Sequence, residues 1–286
     1  MLTYYQAIVI GLMQGVSELF PISSLGHTVI LPQLLGWNLN QGEPFFLTFL
    51  VATHLATALV LLGFFWQDWW QIIKGLGRSL AQRQIRADDY YARLGWLLVV
   101  GTIPAGILGL LFQEKLQLLF ASARIAAFVL IFNGLLLYGA ELLRRHAPED
   151  QGQTRAYQRL GKLDWVQAVK VGLAQIIALI PGFSRSGSTM AGGLLVGLSH
   201  EDAAKFSFLL ATPIIGAAAA LKLPDLFFAE NHPLIGPALI GAACAAIAAY
   251  LSIKFLMKYF RTNKITPFAV YCFSAGVICS IILLLR

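Results

Sequence analysis

The chain has 286 residues, of which 58% are hydrophobic and 12% charged, and a formal net charge of +7. A soluble domain carries about 25% charged residues. With a mean hydropathy of +0.71, the composition excludes that class and predicts an all-α polytopic membrane protein. The positive balance does not imply nucleic acid, because the basic residues gather in short segments between apolar runs, as in cytoplasmic membrane loops.

The N-terminus, MLTYYQAIVIGL, lacks a positive n-region and a small-residue cleavage site, so it is not read as a removable signal peptide. Residues 3–20 are apolar and break at Pro21; a polar turn, PISSLGH at 21–27, leads into a second apolar piece at 28–35. Each piece is short for a span, which needs about 20 apolar residues. Two half-length helices around such a turn predict a re-entrant hairpin, permitted where its tip is buried in protein. Runs at 44–66, 94–112 and 122–143 are long enough to span, and a polar segment follows at 144–163. The broken pattern then returns, with apolar residues at 165–180, a polar turn at 181–188 and apolar residues at 189–198; three more spans follow at 202–221, 234–257 and 267–285. Cys244, Cys272 and Cys279 lie in apolar spans without metal-ligand spacing and read as packing residues.

Both halves follow one plan. The first repeat is 1–143, with its hairpin at 3–36 and then three spans; a cytoplasmic linker covers 144–163; the second repeat is 164–286, with its hairpin at 164–200 and three spans. Polar positions match as well as greasy ones: Gly11 and Gln14 with Gly172 and Gln175, Pro21 and Ser24 with Pro181 and Ser184, and TFLVAT at 48–53 with SFLLAT at 207–212. Lys and Arg are dense in 67–93, 144–162 and 254–264, which places those segments in the cytoplasm. Counting spans from there, the first hairpin enters from outside, the second from inside, and both termini lie outside. The expected architecture is six transmembrane helices plus two re-entrant hairpins in an inverted repeat, with the hairpin tips meeting near the midplane.

The stretch 179–194 sets Arg185, Ser184, Ser186, Ser188, Thr189, Gly182 and Gly187 inside an apolar run. An arginine at a helix centre costs roughly 2.5–3.5 kcal/mol, so Arg185 should face a protein-lined cavity and a partner. A guanidinium with hydroxyls, glycine-freed N–H groups and a helix N-terminus suits a phosphate. The first tip supplies Gln14 and Glu18, four apart on one helix face, followed by Ser23, Ser24 and His27. Glu18 in an apolar helix requires Arg185, a metal ion or a proton. Together the tips suit phosphoryl transfer from a lipid-borne phosphate: Arg185 and backbone N–H groups on the phosphoryl oxygens, a serine activated beside a histidine, and Glu18 with Gln14 as oxygen ligands for a divalent cation. His54, on a plain span, reads as a satisfied intramembrane histidine.

QGVSE at 14–18, PISSLGH at 21–27 and PGFSRSGST at 181–189 resemble the bacterial undecaprenyl-diphosphate phosphatases of the bacitracin-resistance type, and motif spacing and span count extend the resemblance over essentially the whole chain. The resemblance implies hydrolysis of undecaprenyl diphosphate to undecaprenyl phosphate and inorganic phosphate. That reaction recycles the lipid carrier for the cell wall and confers bacitracin resistance. It implies a multi-pass protein of the bacterial plasma (inner) membrane with its site open to the periplasmic or outer side. It also implies a divalent cation, Mg²⁺ or Ca²⁺, as cofactor and a lipid partner but no nucleic acid, and it leaves a homodimer open. Carried over by motif, Glu18, His27 and Arg185 are essential polar residues and Ser24 is the nucleophile. Ser184 and Thr189 line the phosphate site, with Ser23, Ser186, Gly187 and Ser188 beside them. His27 would act as base or acid for Ser24, or itself be the nucleophile, or water would attack directly. Gln14 stands where many members carry glutamate, which removes a charge from the metal site.

Three rivals remain at this level. The membrane acid-phosphatase pattern, Ser-Arg-x5-His, fails because Ala191 holds the histidine position. A transporter or flippase for a phosphorylated prenyl lipid fits the broken helices but has no need of a Ser24/His27 pair. A structural scaffold would use Glu18 and Arg185 as a buried strut.

Overall fold

The computed structural model describes residues 2–37, 39, 44–112, 122–144, 155–222 and 235–286. Among them are twelve helices and no strand: α1 (Tyr4–Ser17), α2 (Ser24–Leu34), α3 (Pro44–Phe64), α4 (Trp66–Gln82), α5 (Tyr90–Leu111), α6 (Ala123–Leu143), α7 (Ala156–Gly161), α8 (Trp165–Ile177), α9 (Arg185–Leu195), α10 (His200–Lys222), α11 (Ile235–Tyr259) and α12 (Thr266–Leu285). Six of these, α3, α5, α6, α10, α11 and α12, are long and apolar enough to cross a membrane, as the hydropathy pattern predicts. Their outer faces stay greasy: Leu239 is 64%, Ile247 63% and Leu285 83% exposed. Lipid, not water, suits such surfaces, and the chain is a multi-pass membrane protein.

The broken stretches are two helix–turn–helix pairs, α1–α2 and α8–α9. Local chemistry starts and stops each helix. Thr3 and Gln6 form a capping box at the start of α1, with Gln6 N donating to Thr3 Oγ1 at 3.2 Å and Thr3 N to Gln6 Oε1 at 2.9 Å. Asp164 and Gln167 repeat the device on α8. After the turns, Ser23 caps α2 by accepting from Gly26 N at 3.2 Å, and Ser184 caps α9 by accepting from Gly187 N at 3.0 Å. The caps correct the register read from the sequence: Ser23, not Ser24, is the structural counterpart of Ser184. The prolines fall out of that register by one residue, and Gly182 after the second of them adopts φ +102°.

The half-length helices pack through glycine contacts. A Cβ on Gly11 of α1 would collide with the Gly241 backbone of α11, and a Cβ on Gly172 of α8 with the Gly101 backbone of α5. Small residues at these crossings let backbones approach where lipid gives no hydrophobic drive between helices.

Contacts at the two ends of the bundle locate the pairs. At one end Arg286 Nη1 donates to Gln33 O and Leu34 O at 2.9 Å, Gly236 packs against the Tyr4 ring, and Arg124 Nε donates to Leu283 O at 3.0 Å. The start of α1 and the end of α2 therefore adjoin the start of α11 and the end of α12. At the other end ion pairs tie Asp68 to Lys205 (2.8 Å) and Arg159 to Asp202 (2.6 Å), and His200 Nε2 lies 2.7 Å from Glu141 Oε2. There the start of α8 and the end of α9 lie together, with Gln167 Nε2 donating to Val196 O at 3.1 Å.

One element was not expected. The sequence reading leaves 67–93 as a basic loop, but α4 occupies most of it. Ile72, Gly75 and Ser79 bury one face, while Trp66, Trp70, Ile73 and Leu80 are exposed and Lys74 stands over the Trp70 ring at 4.7 Å. Its apolar positions recur at helical spacing, but its charges keep mean hydropathy below that of a span.

Candidate active site

The turns of the two pairs meet inside the bundle. Ser186 Oγ donates to Phe20 O at 3.1 Å. A Cβ on Gly26 would lie 3.3 Å from Gly182 Cα, and one on Gly187 3.2 Å from Pro21 O, so both glycines allow the approach. Asn133, fully buried on α6, clasps both turns: its Nδ2 donates to Pro21 O at 3.1 Å and its Oδ1 accepts from Ser184 N at 3.0 Å. Sequence reasoning missed Asn133, whose only signal was a lone amide inside an apolar span.

Glu18 is the hub. It is 6% exposed and follows α1 directly. Its Oε1 accepts from Arg185 Nη2 at 2.8 Å. Its Oε2 accepts from Ser24 Oγ at 2.5 Å and Gln14 Nε2 at 3.1 Å, and lies 3.3 Å from His54 Nε2. Gln14, Glu18, Ser24 and Arg185 thus come together as their motifs led us to expect. Removing either charge of such a buried pair costs about 3–5 kcal/mol, because its partner is left uncompensated.

His54, read from the sequence as a satisfied intramembrane histidine, has partners at both ring nitrogens, and one of them is Glu18. It lies on α3, with Nδ1 2.7 Å from Leu50 O and Nε2 toward Glu18. His27 is the converse case. It stands one turn after Ser24, but Nδ1 is 2.7 Å from the Ser23 carbonyl and Nε2 2.8 Å from the Tyr271 hydroxyl, with the ring stacked on Tyr271. Both ring nitrogens therefore have partners other than Ser24.

The hydroxyls of the second turn divide similarly. Ser184 lines the cavity and caps α9. Ser186 spends its hydroxyl on Phe20 O, and Thr189 on the Arg185 carbonyl and Ser207. Ser23 is a cap, Gly187 serves through its N–H, and Ser188 lines a separate cavity with its Oγ unpartnered.

Beside the polar cluster is a cavity of about 320 Å³ lined by Glu18, Ser24, His54, Gln175, Ser184 and Arg185 at its polar part, and by side chains such as Val29, Phe46, Leu50, Phe183 and Ile215 elsewhere. α2 and α9 both begin at this cavity. The first N–H groups of a helix have no intrahelical partner and carry partial positive charge. Two helix starts and a guanidinium therefore face one space, which suits an anion attached to an apolar chain.

A divalent cation fits the donor set poorly. Glu18 already binds Arg185 through one oxygen and its hydrogen-bond partners through the other, and the guanidinium beside it repels a second cation. Among the described residues no three His, Cys, Asp or Glu side chains cluster for a metal. The oxygens left over are neutral: Oε1 of Gln14 and Oε1 of Gln175, both buried without a partner.

The bacitracin resistance protein BacA family matches residues 7–278 of this chain. The chain is 45% identical to an undecaprenyl-diphosphatase of Mycolicibacterium paratuberculosis, over 96% of this chain and 95% of the relative. It is 48% identical to undecaprenyl-diphosphatase 2 of Burkholderia orbicola, over 95% and 94%. It is 40% identical to undecaprenyl-diphosphatase 2 of Frankia alni, over 98% of each.

Proposed function

The chain belongs to the bacitracin resistance protein BacA family, and from that premise we propose how its two turns carry out the reaction. It is an enzyme that hydrolyses undecaprenyl diphosphate to undecaprenyl phosphate and inorganic phosphate, which recycles the lipid carrier and underlies bacitracin resistance. The observation that carries the mechanism is the Ser24 hydroxyl, held 2.5 Å from one oxygen of a carboxylate whose other oxygen binds Arg185.

The diphosphate enters between the turns, with the first isoprene units of its tail in the apolar part of the cavity and the remainder in lipid. Arg185, which has five donors and uses one on Glu18 and one on the Ser207 carbonyl, turns the remainder to the terminal phosphoryl group. The starts of α2 and α9 stabilise the charge that spreads over its oxygens. Ser24 Oγ attacks the terminal phosphorus and passes its proton to Glu18 Oε2 as the bond to undecaprenyl phosphate breaks. Water then attacks the phosphoserine, and Glu18 returns the proton to Ser24 as inorganic phosphate leaves. Glu18 thus takes the base role first given to His27, and His27 supports the turn through the Ser23 carbonyl. A divalent cation would neutralise charge on the bound diphosphate, with the unpartnered Oε1 atoms of Gln14 and Gln175 as the protein oxygens left to hold it.

We place the site within the plasma membrane, opening to the outer side, on an inverted repeat with two re-entrant hairpins. Three observations support this. Both free ends of α1–α2 adjoin one end of the bundle and both free ends of α8–α9 the other. The basic segments gather at the second end. The Gly11–Gly241 and Gly172–Gly101 crossings join each pair to the corresponding long helix of the other half.

The test is phosphate release from a soluble short-chain prenyl diphosphate in detergent, followed by mass-spectrometric mapping of a trapped phosphoprotein. Release by the parent protein with phosphate on Ser24 is the expected result. Release with phosphate on His27, or on neither residue, overturns the nucleophile; no release at all favours the flippase reading.

A further inference from the structure

Glu18 Oε2 serves three neighbours, and the mechanism above uses only Ser24. His54 comes from a separate element, α3, and its ring is held at both edges. A backbone carbonyl only accepts, so Nδ1, 2.7 Å from Leu50 O, carries its hydrogen. That leaves Nε2 3.3 Å from Glu18 Oε2, and because a carboxylate oxygen accepts, a hydrogen bond there puts a second proton on the ring and makes His54 an imidazolium paired with Glu18. The ring also lines the substrate cavity, where the charged groups beside it are Glu18 and Arg185.

We propose that His54 is a positioning residue for the hydrolysis: it donates through Nε2 to Glu18 Oε2 and so holds that oxygen against the Ser24 hydroxyl. Arg185 fixes one carboxylate oxygen and His54 the other, which sets the plane of the carboxylate. Gln14, on the same helix as Glu18, moves with it and cannot do this alone. α3 thereby supplies the base with a support anchored outside both turns. The inference rests on the reading of Glu18 as the base for Ser24.

The experiment measures kcat and KM for phosphate release from a short-chain prenyl diphosphate by the full-length protein in detergent, for the parent and for His54→Leu, His54→Gln and His54→Ala. Leucine fills the volume without a donor. Glutamine carries an amide N–H at nearly the position of Nε2. Alanine opens a space beside the cavity that free imidazole can enter. The expected result is a fall in kcat of about ten- to a hundredfold in His54→Leu and His54→Ala, the range for a lost hydrogen bond to a charged group, with KM within about threefold of the parent. His54→Gln regains most of kcat, and added imidazole raises kcat of His54→Ala but not of His54→Leu. Wild-type kcat in His54→Leu overturns the proposal. So does an equal loss in His54→Leu and His54→Gln, or a loss confined to KM, which would make the ring only a wall of the cavity. Parent activity and its dependence on Ser24 are read in the same assay, so failure of the base assignment is distinguished from failure of this inference.

Discussion

The two helix–turn–helix pairs share a frame and differ in what they hang on it. Ser23 and Ser184 cap α2 and α9, Gly26 and Gly187 donate to those caps, and Thr28 and Thr189 follow at the same step. At the first helical residue the pairs part: Ser24 in one, Arg185 in the other. One turn upstream, Glu18 in the first pair corresponds to Leu179 in the second. A strict copy would face carboxylate with carboxylate or guanidinium with guanidinium, and like charges in an apolar interior repel strongly. The two capped turns make one site because they differ in charge: acid and hydroxyl on one side, cation on the other.

The largest effect should come from erasing what distinguishes the first pair. Ser24→Ala should lower phosphate release about a thousandfold, since loss of a covalent nucleophile leaves only the binding contribution, while the melting temperature in detergent stays close to the parent's. Removing the second pair's contribution should hurt both readouts. Arg185→Ala should abolish most release and destabilise the fold by about 3–5 kcal/mol through the stranded Glu18; the double variant with Glu18→Gln should melt above Arg185→Ala while remaining inactive.

The shared frame is testable next. Gly182→Ala puts a side chain at φ +102° against the Ala126 carbonyl and the Val129 side chain, and should cost about 1–3 kcal/mol in a denaturation series. Gly11→Val and Gly172→Val should destabilise by similar amounts, about 1–3 kcal/mol each; a large loss in one and none in the other would break the equivalence of the pairs. Asn133→Ala removes the clasp between the turns and should cost about 1–3 kcal/mol, with kcat falling more than KM changes. The smallest effect belongs to Ser188→Ala. Its hydroxyl is buried without a partner and lines the other cavity, so the substitution breaks no hydrogen bond and release should stay within about twofold.

The sequence by itself determined the helical class, the six long helices, the two broken stretches and the quartet of Gln14, Glu18, Ser24 and Arg185. Each of these is written locally, in runs of apolar residues, in prolines and glycines that interrupt them, and in charges too costly to leave unpaired in lipid. It did not determine which histidine lies against Glu18. His27 was adjacent to Ser24 in the chain, yet its ring nitrogens found Ser23 O and Tyr271; His54, on another helix, reached Glu18. Asn133 and the helix within 67–93 were equally invisible, because hydropathy records how greasy a segment is and not what packs against it. Which polar side chains share a cavity is decided by how helices cross. In this protein the crossings are set by pairs of glycines, such as Gly11 with Gly241, that lie far apart in the chain and meet only when it is folded.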